Sequence, residues 1–353
     1  MTSTDSIFSK VLTVGPSRKA LAGMASVLNI YSDLLPDFRQ LTSNSTRGFI
    51  PGLFALAATM LRMPVERMRG RKILHVHVAS GKSFVRKRMI MRWGRLLGFK
   101  LIYHCHGGNT QDYFRRIGIP HAKKVLDSCA TIISLSKTWQ DYFNTTFRHP
   151  DVRVLHNPLV PAQKIVHPES HSPLRLLFLG NLVDAKGIFD LLEVIAANRE
   201  RWQGRVKLTI GGNGENERLL SFVRENKIKN LIDFLGWVDG DKKEQLFAEN
   251  HVLILPSYIE CLPMSILEAM GHGMPIISTP VGGIPEMVLP GENGILFKPG
   301  DRMAMSAAID CYLLNPELIS RHGAGSLKLA PQFYPDKIKS DLLEIYTSLL
   351  NND

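Results

Sequence analysis

The amino-acid sequence predicts an α/β protein with two doubly wound domains, each built on a parallel sheet. Short apolar and β-branched runs alternate with longer helical patterns along the chain, which is typical of a parallel sheet with helices on both faces. A segment with four prolines and little periodicity, residues 156–173, divides this alternation into two series. At 353 residues the chain is also too long for one ordinary core, so two domains are expected.

The first series predicts an N-terminal domain over residues 1–165. A strand at 11–14 leads into a glycine-bearing turn and a helical run from 20 to about 35. Three further strand candidates follow, at 73–78, 100–104 and 130–135. Because helical stretches separate these runs, we expect a parallel, Rossmann-like sheet.

The second series predicts a complete doubly wound domain over residues 166–330. It contains six strand candidates, each followed by a glycine-bearing or polar turn and a helical stretch, at 174–179, 206–210, 232–235, 252–255, 275–278 and 294–297. Residues 331–353 read as a C-terminal helix that either caps this domain or crosses back to the first. Two such domains would face each other across a cleft at the carboxyl ends of their strands, where ligands bind in this architecture.

The composition is that of a globular protein without covalent or metal cross-links. Hydrophobic residues make up 44% of the chain and charged residues 21%. The four cysteines, at 105, 129, 261 and 311, are scattered and form no C-x-x-C pair, which disfavours zinc ribbons and disulfide frameworks and fits a reducing cytoplasm. The N-terminus lacks the pattern of a signal peptide, and the longest apolar stretch, 49–61, is shorter than the roughly 20 residues that span a bilayer. We therefore expect no transmembrane segment.

The net charge of +11 hides a large asymmetry between the two halves. Residues 1–165 hold 25 Lys and Arg against 8 Asp and Glu, a difference of +17. Residues 166–353 hold 18 against 24, a difference of −6. The two halves are therefore expected to meet different partners.

The segment 260–268 contains two carboxylates, Glu260 and Glu268, with seven residues between them. A buried strand at 252–255 precedes it, and Pro263 suits the start of a helix. This arrangement predicts one carboxylate on a loop, free N–H groups at a helix start and a second carboxylate in the helix, which suits a nucleotide-sugar. Two glutamates at this spacing also occur by chance, so the neighbouring motifs decide between the two interpretations.

Glycine turns follow several of the predicted strands. Residues 180–187 place Gly180, Lys186 and a helix start together, which predicts a diphosphate cradle. The alternative is an ordinary strand-to-helix turn with a solvated lysine. The turn at 210–214 lacks a G-x-G-x-x-G continuation and a following acid, so it is weak support for a dinucleotide site.

Taken in order, these segments resemble the retaining glycosyltransferases of GT-B family 4. The resemblance is close over about 174–300 and looser elsewhere. It is carried by six linked motifs in register: Gly180 to Lys186-Gly187, 211–214, 234–238, Pro256-Ser257 to 268–270, 275–286 and 291–294. The family implies a GT-B fold, with two Rossmann-like domains and a nucleotide-sugar donor bound mainly by the second.

The resemblance implies a role for each matching residue of the second domain. Glu268 corresponds to the carboxylate on the ribose hydroxyls, and Glu260 to the one that contacts the transferred sugar. Lys186 corresponds to the cationic clamp on the diphosphate. The amides of Met264 and Ser265 would also lie on the diphosphate. Residues Trp237 and Val238 would border the base.

Two segments of the first domain also match the family loosely. His106, followed by Gly107-Gly108, resembles the histidine loop beneath the donor sugar, although a histidine taken alone is more often structural or on the surface. The segment from Gly15 to Gly23 resembles the phosphate-facing loop after the first strand, with the usual double glycine reduced to Gly23. The catalytic candidates are thus Glu260, His106 and Lys186.

Two positions of the second domain depart from the family pattern. Asn181 stands where the family usually has an arginine, so Lys186 or a basic residue of the first domain, Arg18 or Lys19, must neutralise more of the diphosphate charge. Cys261 replaces a common glycine after the first glutamate, which puts close backbone approach there in doubt.

The resemblance implies a metal-independent transfer of a hexosyl group, with retention, from a UDP- or GDP-sugar to an acceptor hydroxyl. No cofactor and no metal ligand are predicted, because helix amides and Lys186 would stabilise the leaving diphosphate. Two alternatives stay open: a sugar-nucleotide epimerase or hydrolase of the same fold, and a non-catalytic sugar-nucleotide-binding protein. A nicotinamide dehydrogenase is disfavoured, because the complete glycine fingerprint is absent.

The basic first half predicts an acceptor at a membrane. Residues 81–95 combine basic and apolar side chains at near-helical spacing, and they are joined by Arg62, Arg67, Arg69, Arg71 and Lys72. Such a face suits an anionic membrane surface and a glycan or lipid-linked acceptor of surface polysaccharide synthesis. The protein would then be cytoplasmic and peripheral at the inner face of the cell membrane. A solvated helix is the alternative, and nucleic-acid binding is the least favoured interpretation.

Overall fold

The computed structural model describes residues 3–20, 23–44, 48–166, 168 and 172–351. The chain divides into two compact units. Unit 1 contains Met1–Pro158 and Phe333–Asp353, and unit 2 contains Leu159–Gln332. The boundary between them falls seven residues before the one expected from the sequence, at the beginning of the proline-rich segment.

Unit 1 contains a parallel sheet of six strands. They are β1 Val11–Gly15, β2 Gln40–Thr42, β3 Ile73–Val78, β4 Lys100–Cys105, β5 Thr131–Ser134 and β6 Val152–Val154, in the order β2-β1-β3-β4-β5-β6. The sequence predicts four of the six. It misses β2 and β6, which are three residues long and lie at the edges of the sheet, so neither has a long apolar run.

Seven helices of unit 1 precede the linker. They are α1 Ser3–Phe8, α2 Gly23–Leu34, α3 Phe49–Met68, α4 Lys82–Leu96, α5 Thr110–Ile117, α6 Ile119–Leu126 and α7 Lys137–Phe147. The basic segment 81–95 is therefore helical, as its spacing predicts.

Unit 2 contains a second parallel sheet of six strands, all of which the sequence predicts. They are β7 Leu174–Leu179, β8 Val206–Gly211, β9 Ile232–Phe234, β10 Val252–Leu255, β11 Ile276–Ser278 and β12 Gly294–Leu296, in the order β12-β11-β10-β7-β8-β9. Strand β10 is fully buried and β7 almost fully, which explains their nearly continuous apolar sequences.

The helices of unit 2 alternate with these strands. They are α8 Ile188–Ala197, α9 Arg199–Trp202, α10 Asn216–Glu225, α11 Gly240–Glu249, α12 Met264–Gly271, α13 Ile284–Met287, α14 Arg302–Leu314 and α15 Glu317–Leu329. A 3-10 turn at Asp184–Lys186 follows β7. In the described part of the chain, no helix combines the length and apolarity needed to cross a bilayer.

The last helix, α16 Pro335–Asn351, belongs to unit 1. It packs against α1 and α2. The hydroxyl of Tyr346 lies 2.7 Å from Nδ1 of His75, and Lys100 Nζ donates to the carbonyl of Leu349 at 2.7 Å. The chain therefore returns to its first domain, which is one of the two placements that the sequence leaves open.

The strand orders create one switch point in each sheet. In unit 2 the chain leaves β7 on the side of β8 and β9 and then returns to place β10 on the other side of β7. In unit 1 the corresponding position lies between β1 and β3. Ligands of doubly wound sheets bind at the carboxyl ends of the strands at such points. The search for a site therefore starts between β7 and β10.

Candidate functional site

Lys186 and Glu260 meet at the switch point of unit 2. Lys186 ends the 3-10 turn after β7, and Glu260 lies on the loop after β10. Nζ of Lys186 lies 2.5 Å from Oε1 of Glu260, and the Ser257 hydroxyl donates to the same oxygen at 2.9 Å. The Glu260 side chain is only 7% exposed, against 24% for Lys186. The two candidates from distant parts of the sequence thus form one polar cluster.

Two glycines hold the loops of this cluster against each other. Gly187 has φ +68°, and a Cβ there would lie 2.1 Å from the carbonyl oxygen of Pro256. Gly282 has φ +58°, and a Cβ there would lie 2.2 Å from the carbonyl oxygen of Glu260. Both the conformation and the close approach require glycine. The position of Glu260 is therefore fixed by backbone packing on both sides.

Helix α12 begins four residues after Glu260. Pro263 occupies the position before its first turn and provides no side-chain cap. Met264 and Ser265 begin the helix, and their N–H groups have no acceptor within it. Together with the helix dipole, such groups favour an anion. The start of α12 can therefore accept part of the charge of a diphosphate.

Glu268 lies one and a half turns into α12 and has a partner that the sequence analysis missed. Lys243 of α11 places Nζ 2.6 Å from Oε1 of Glu268. Burial raises the pKa of Glu268, while the Lys243 ammonium lowers it. Beside this pair, Nε2 of His272 lies 2.8 Å from Oε2 of Glu244. No motif in the sequence indicates Lys243, because the contact joins two helices 25 positions apart.

The segment that the resemblance assigns to the base precedes α11. Val238 is buried, and a Cβ on Gly211 would lie 2.6 Å from it. Trp237 is partly exposed, and its indole N–H donates to Oδ2 of Asp239 at 3.2 Å. Asn181 is exposed. Val238 thus packs against the end of β8, while Trp237 and Asn181 reach solvent.

Asp239 also begins the one Asp-x-Asp sequence of the chain, 239–241. Its two aspartates flank the start of α11, and Lys243 follows two residues later. Because paired carboxylates can hold a divalent cation on a substrate phosphate, metal dependence is a matter for direct measurement.

His106 lies in unit 1, directly after β4. Its Nε2 is 2.8 Å from Nδ1 of His77, and its backbone N–H donates to the carbonyl of Val78 at 2.8 Å. Burial, assisted by His75 and Lys87, lowers the pKa of His106 to about 3. The imidazole is therefore neutral at pH 7 and offers a hydrogen bond but no charge.

The two glycines of the predicted phosphate-facing loop have different surroundings. Gly15 ends β1 and is buried, and a Cβ there would lie 2.4 Å from Leu28 of α2. Gly23 is the exposed first residue of α2. Gly15 thus lets α2 pack closely on β1, and residues 21 and 22 of the predicted loop lie outside the described residues.

Two basic residues of the predicted membrane face are internal. Arg71 is buried and donates to Oδ2 of Asp37 at 3.1 Å and to the Val11 carbonyl at 2.8 Å. Lys87 is buried, donates to the Ser83 hydroxyl at 3.1 Å, and has its pKa lowered to about 7 by burial. Their inclusion in that face is wrong, because both side chains are buried within unit 1.

The two six-stranded parallel sheets and their helices form the α/β architecture of the GT-B fold. The sequence profile of the family described as glycosyl transferases group 1 matches residues 161–326, nearly the whole of unit 2. Residues 161–326 therefore match this family, as their linked motifs predict.

Relatives extend the similarity beyond unit 2. The chain is 26% identical over 332 residues to N-acetyl-alpha-D-glucosaminyl L-malate synthase of Bacillus anthracis, covering 90% of this chain and 85% of that protein. It is 29% identical over 208 residues to lipopolysaccharide 1,6-galactosyltransferase of Salmonella typhimurium, covering 57% of this chain and 54% of that protein.

Two solved structures share the fold. HepE of Anabaena in complex with UDP-glucose aligns with a TM-score of 0.77 at 17% identity, covering 96% of this chain and 99% of that chain. Sucrose-phosphate synthase of Thermosynechococcus elongatus aligns with a TM-score of 0.79 at 16% identity, covering 97% and 99%. At such identities these alignments establish the GT-B fold alone.

Proposed function

We propose that this glycosyltransferase moves a hexosyl group, with retention and without a metal at the diphosphate, from a UDP- or GDP-sugar to an acceptor hydroxyl. The observation that carries the proposal is the Lys186–Glu260 pair at the switch point of unit 2. Glu260 lies on the loop that leads into α12. A cation, a carboxylate and a helix start are the groups that a diphosphate-linked sugar requires.

In the proposed reaction, the bond between the anomeric carbon and the diphosphate oxygen breaks as the acceptor oxygen bonds to that carbon on the same face. Negative charge grows on the leaving diphosphate, where Lys186 and the N–H groups of Met264 and Ser265 stabilise it. The diphosphate accepts the proton of the acceptor hydroxyl. Glu260 holds the sugar, and the neutral imidazole of His106 hydrogen-bonds a sugar hydroxyl.

The names of similar proteins support a nucleotide-sugar donor. HepE of Anabaena has been crystallised with UDP and with UDP-glucose. The relatives from Bacillus anthracis and Salmonella typhimurium are named as a glucosaminyl-malate synthase and a galactosyltransferase. These acceptors differ from each other, so the acceptor of this chain must be identified by experiment.

A panel of UDP- and GDP-sugars tests the proposal when nucleotide release is measured with and without polyprenyl-diphosphate-linked acceptors. We expect one donor to release nucleotide in an acceptor-dependent manner, equally with EDTA and with added Mg²⁺. Free sugar formed without acceptor would indicate an epimerase or hydrolase, and donor binding without turnover a binding protein. Loss of activity in EDTA would contradict a metal-independent transfer.

Glu268→Ala should weaken the binding of the nucleoside diphosphate by about 10- to 100-fold, since a hydrogen bond to a charged group contributes about 1.5–3 kcal/mol. Calorimetric titration with the diphosphate and with its 3′-deoxy analogue measures the effect. The wild type should discriminate between the two ligands, and the variant should not. Glu244→Ala removes the neighbouring exposed carboxylate and is the matched control. If Glu268→Ala discriminates between the diphosphate and its 3′-deoxy analogue as strongly as the wild type does, Glu268 does not bind the ribose.

We propose that unit 1 provides an anionic-membrane surface for a lipid-linked acceptor, at the inner face of the cell membrane. An apolar stripe on α3 supports this proposal. It consists of exposed side chains spaced by three, four or seven residues, namely Ile50, Phe54, Leu61, Val65 and Met68. Phe54, Leu61 and Met68 are 72%, 77% and 80% exposed. A contiguous apolar stripe of this kind marks an interaction surface.

Helix α4 adds positive charge beside this stripe. The Trp93 indole donates to the Met60 carbonyl at 2.9 Å and joins α4 to α3. Arg92 and Arg95 of α4 and Arg62 of α3 are exposed. Each such residue near an anionic bilayer contributes on the order of 1 kcal/mol. The charge adjacent to the apolar stripe favours an anionic lipid surface over a protein partner.

Flotation with vesicles that contain or lack phosphatidylglycerol tests this surface. The double variant Arg92→Glu/Arg95→Glu should bind the anionic vesicles at least about 30-fold more weakly than the wild type, and Phe54→Ser/Leu61→Ser should also lose binding. Leu220→Ser/Arg224→Glu alters a similar exposed pair on α10 and should behave as the wild type. The proposal would be overturned if the wild type does not bind the vesicles, or if it binds equally well with and without anionic lipid.

A further inference from the structure

Four histidines lie together on the sheet of unit 1, in two H-x-H pairs. Only His106 has a role in the proposed transfer. His75 and His77 belong to β3, His104 belongs to β4, and His106 follows it; we call these four the histidine cluster. His77 pairs with His104 in the strand register, so the rings project from one face of adjacent strands. The rings stack at centroid distances of 4.2–5.1 Å. His75, His77 and His104 are fully buried.

The hydrogen bonds of the cluster leave two buried nitrogens unsatisfied. His75 contacts Tyr346 and His104, and His77 contacts His106. Within the described part of the chain, His77 Nε2 and His104 Nε2 have no hydrogen-bond partner. A buried polar atom without a partner costs about 1–3 kcal/mol, so two such atoms in one cluster require a shared explanation.

We propose that His75, His77 and His104 form a binding site for a divalent transition metal, with Zn²⁺ as the physiological ion. One nitrogen from each ring lies within 4.8 Å of the other two. Zinc bound at 2.0–2.1 Å places its nitrogen ligands about 3.3 Å apart, so the rings need to close by no more than about 1.5 Å. Imidazole nitrogens are ligands that zinc prefers, and water would occupy the fourth position.

The outer contacts of the cluster suit this assignment. With Nε2 on the metal, His77 directs Nδ1–H to Nε2 of His106, and His75 directs Nδ1–H to the Tyr346 oxygen. His75 Nε2 lies 2.9 Å from Nδ1 of His104, and the bond to the metal would replace this hydrogen bond. Metal-bound histidines usually donate their second N–H in this way, which fixes the ring orientation.

The proposed ion joins β3 to β4 within unit 1 and takes no direct part in the transfer. The proposal departs from the sequence-based expectation of no metal ligand, which was argued from the diphosphate chemistry of unit 2. Because His77 contacts His106, the ion would also fix the tautomer of His106 with its Nε2 as acceptor.

Metal-free protein titrated with Zn²⁺ and with Co²⁺ tests the site. We expect one equivalent to bind, a visible Co²⁺ spectrum of low coordination number, and a melting temperature raised by about 5–10 °C at 100-fold excess over the dissociation constant. His77→Gln and His104→Gln should bind at least 10-fold more weakly. His149→Gln is the matched control, because this buried histidine of unit 1 contacts two backbone carbonyls instead.

X-ray absorption of the zinc-loaded wild type decides the result even where a variant fails to fold. Three imidazole nitrogens in the first coordination sphere would support the site. Absence of stoichiometric uptake by the wild type, uptake that survives both cluster substitutions, or a sphere with fewer than two imidazoles would overturn it. Nucleoside diphosphate binding, measured on the same samples, reports on unit 2 and separates failure of this site from failure of the proposed function.

Discussion

Lys186→Ala is expected to lower turnover about 10²- to 10³-fold, which corresponds to about 2.7–4 kcal/mol of lost transition-state stabilisation. The ammonium group lies at the switch point of unit 2, and Asn181 supplies no charge where the family usually has an arginine. Lys186 therefore carries more of the neutralisation of the leaving diphosphate. Because that charge grows as the bond breaks, kcat should fall more than the affinity for the donor.

Lys207→Ala is the matched control for this experiment. Lys207 also pairs with a carboxylate, Asp233, at 2.9 Å, but it lies near the start of β8, at the opposite end of the strands from the site. This variant should keep wild-type turnover. Full activity of Lys186→Ala, or an equal loss in Lys207→Ala, would contradict the assigned role.

A double-mutant cycle separates two roles of Lys186. In the structure its ammonium is bound to Glu260, so it can act on the diphosphate or only hold that carboxylate in position. If it acts on the diphosphate, Lys186→Ala should further reduce the turnover of Glu260→Gln. If it only positions Glu260, the double variant should be no slower than Glu260→Gln alone.

Acidification from pH 7.5 to 5.5 is expected to lower the free energy of unfolding of unit 1 by at least about 4 kcal/mol. Burial lowers the pKa of His75 to about 3, and those of His77 and His104 well below the ordinary value. In the unfolded chain these groups take up protons below about pH 6.5, whereas the folded protein excludes them. The contribution of these imidazoles to the free energy of unfolding is thus fully present above pH 6.5 and is lost as the pH falls towards 3.

The magnitude follows from about 1.4 kcal/mol for each of the three imidazoles at pH 5.5. This is a large part of the roughly 5–15 kcal/mol that stabilises an ordinary domain. Urea unfolding at several pH values, with EDTA present and with hydrogen exchange of β3 and β4 as the probe, measures the effect. His104→Gln, where it folds, should reduce by about one the number of protons taken up on unfolding, which is given by the slope of the free energy of unfolding against pH. A stability of unit 1 that is independent of pH between 7.5 and 5.5 would contradict the burial of neutral imidazoles.

The strands of unit 2 could be predicted completely, because each is a buried run followed by a turn signal. The same approach failed for β2 and β6 in unit 1, whose three residues each lie at a sheet edge and carry no continuous apolar run. The last helix could be assigned to two places from its sequence. Its membership of unit 1 depends on contacts such as that of Tyr346 with His75, which join residues 271 positions apart.

The donor-site candidates lie on motifs that follow strand ends, so their clustering could be anticipated from the order of the motifs. The partners of these residues could not be anticipated in this way, because they belong to elements that carry no recognisable motif. Lys243 belongs to a polar helix, and its contact with Glu268 depends on how α11 packs beside α12. Ser257 lies two residues after β10, and its place in the motif Pro256-Ser257 was a signal that could have identified it.

Charge patterns were the least specific signal. Arg71 and Lys87 have the same sequence character as Arg92 and Arg95, yet the first two are buried and the last two exposed. The difference depends on which side of α4 faces the sheet and on the position of Arg71 in the loop before β3. The histidine cluster was not predicted, because its two H-x-H pairs come together only through the register of β3 and β4.

The central claim is that Lys186, Glu260 and Glu268 form the site for a nucleotide-sugar. Calorimetric titration of the wild type, Lys186→Ala and Glu268→Ala with UDP and with GDP tests it most directly, since no acceptor is needed. We expect one of the two nucleotides to bind the wild type in a 1:1 complex and to bind Glu268→Ala at least 10-fold more weakly, with a smaller loss for Lys186→Ala. Binding of neither nucleotide by the folded wild type, or undiminished binding by both variants, would contradict the claim.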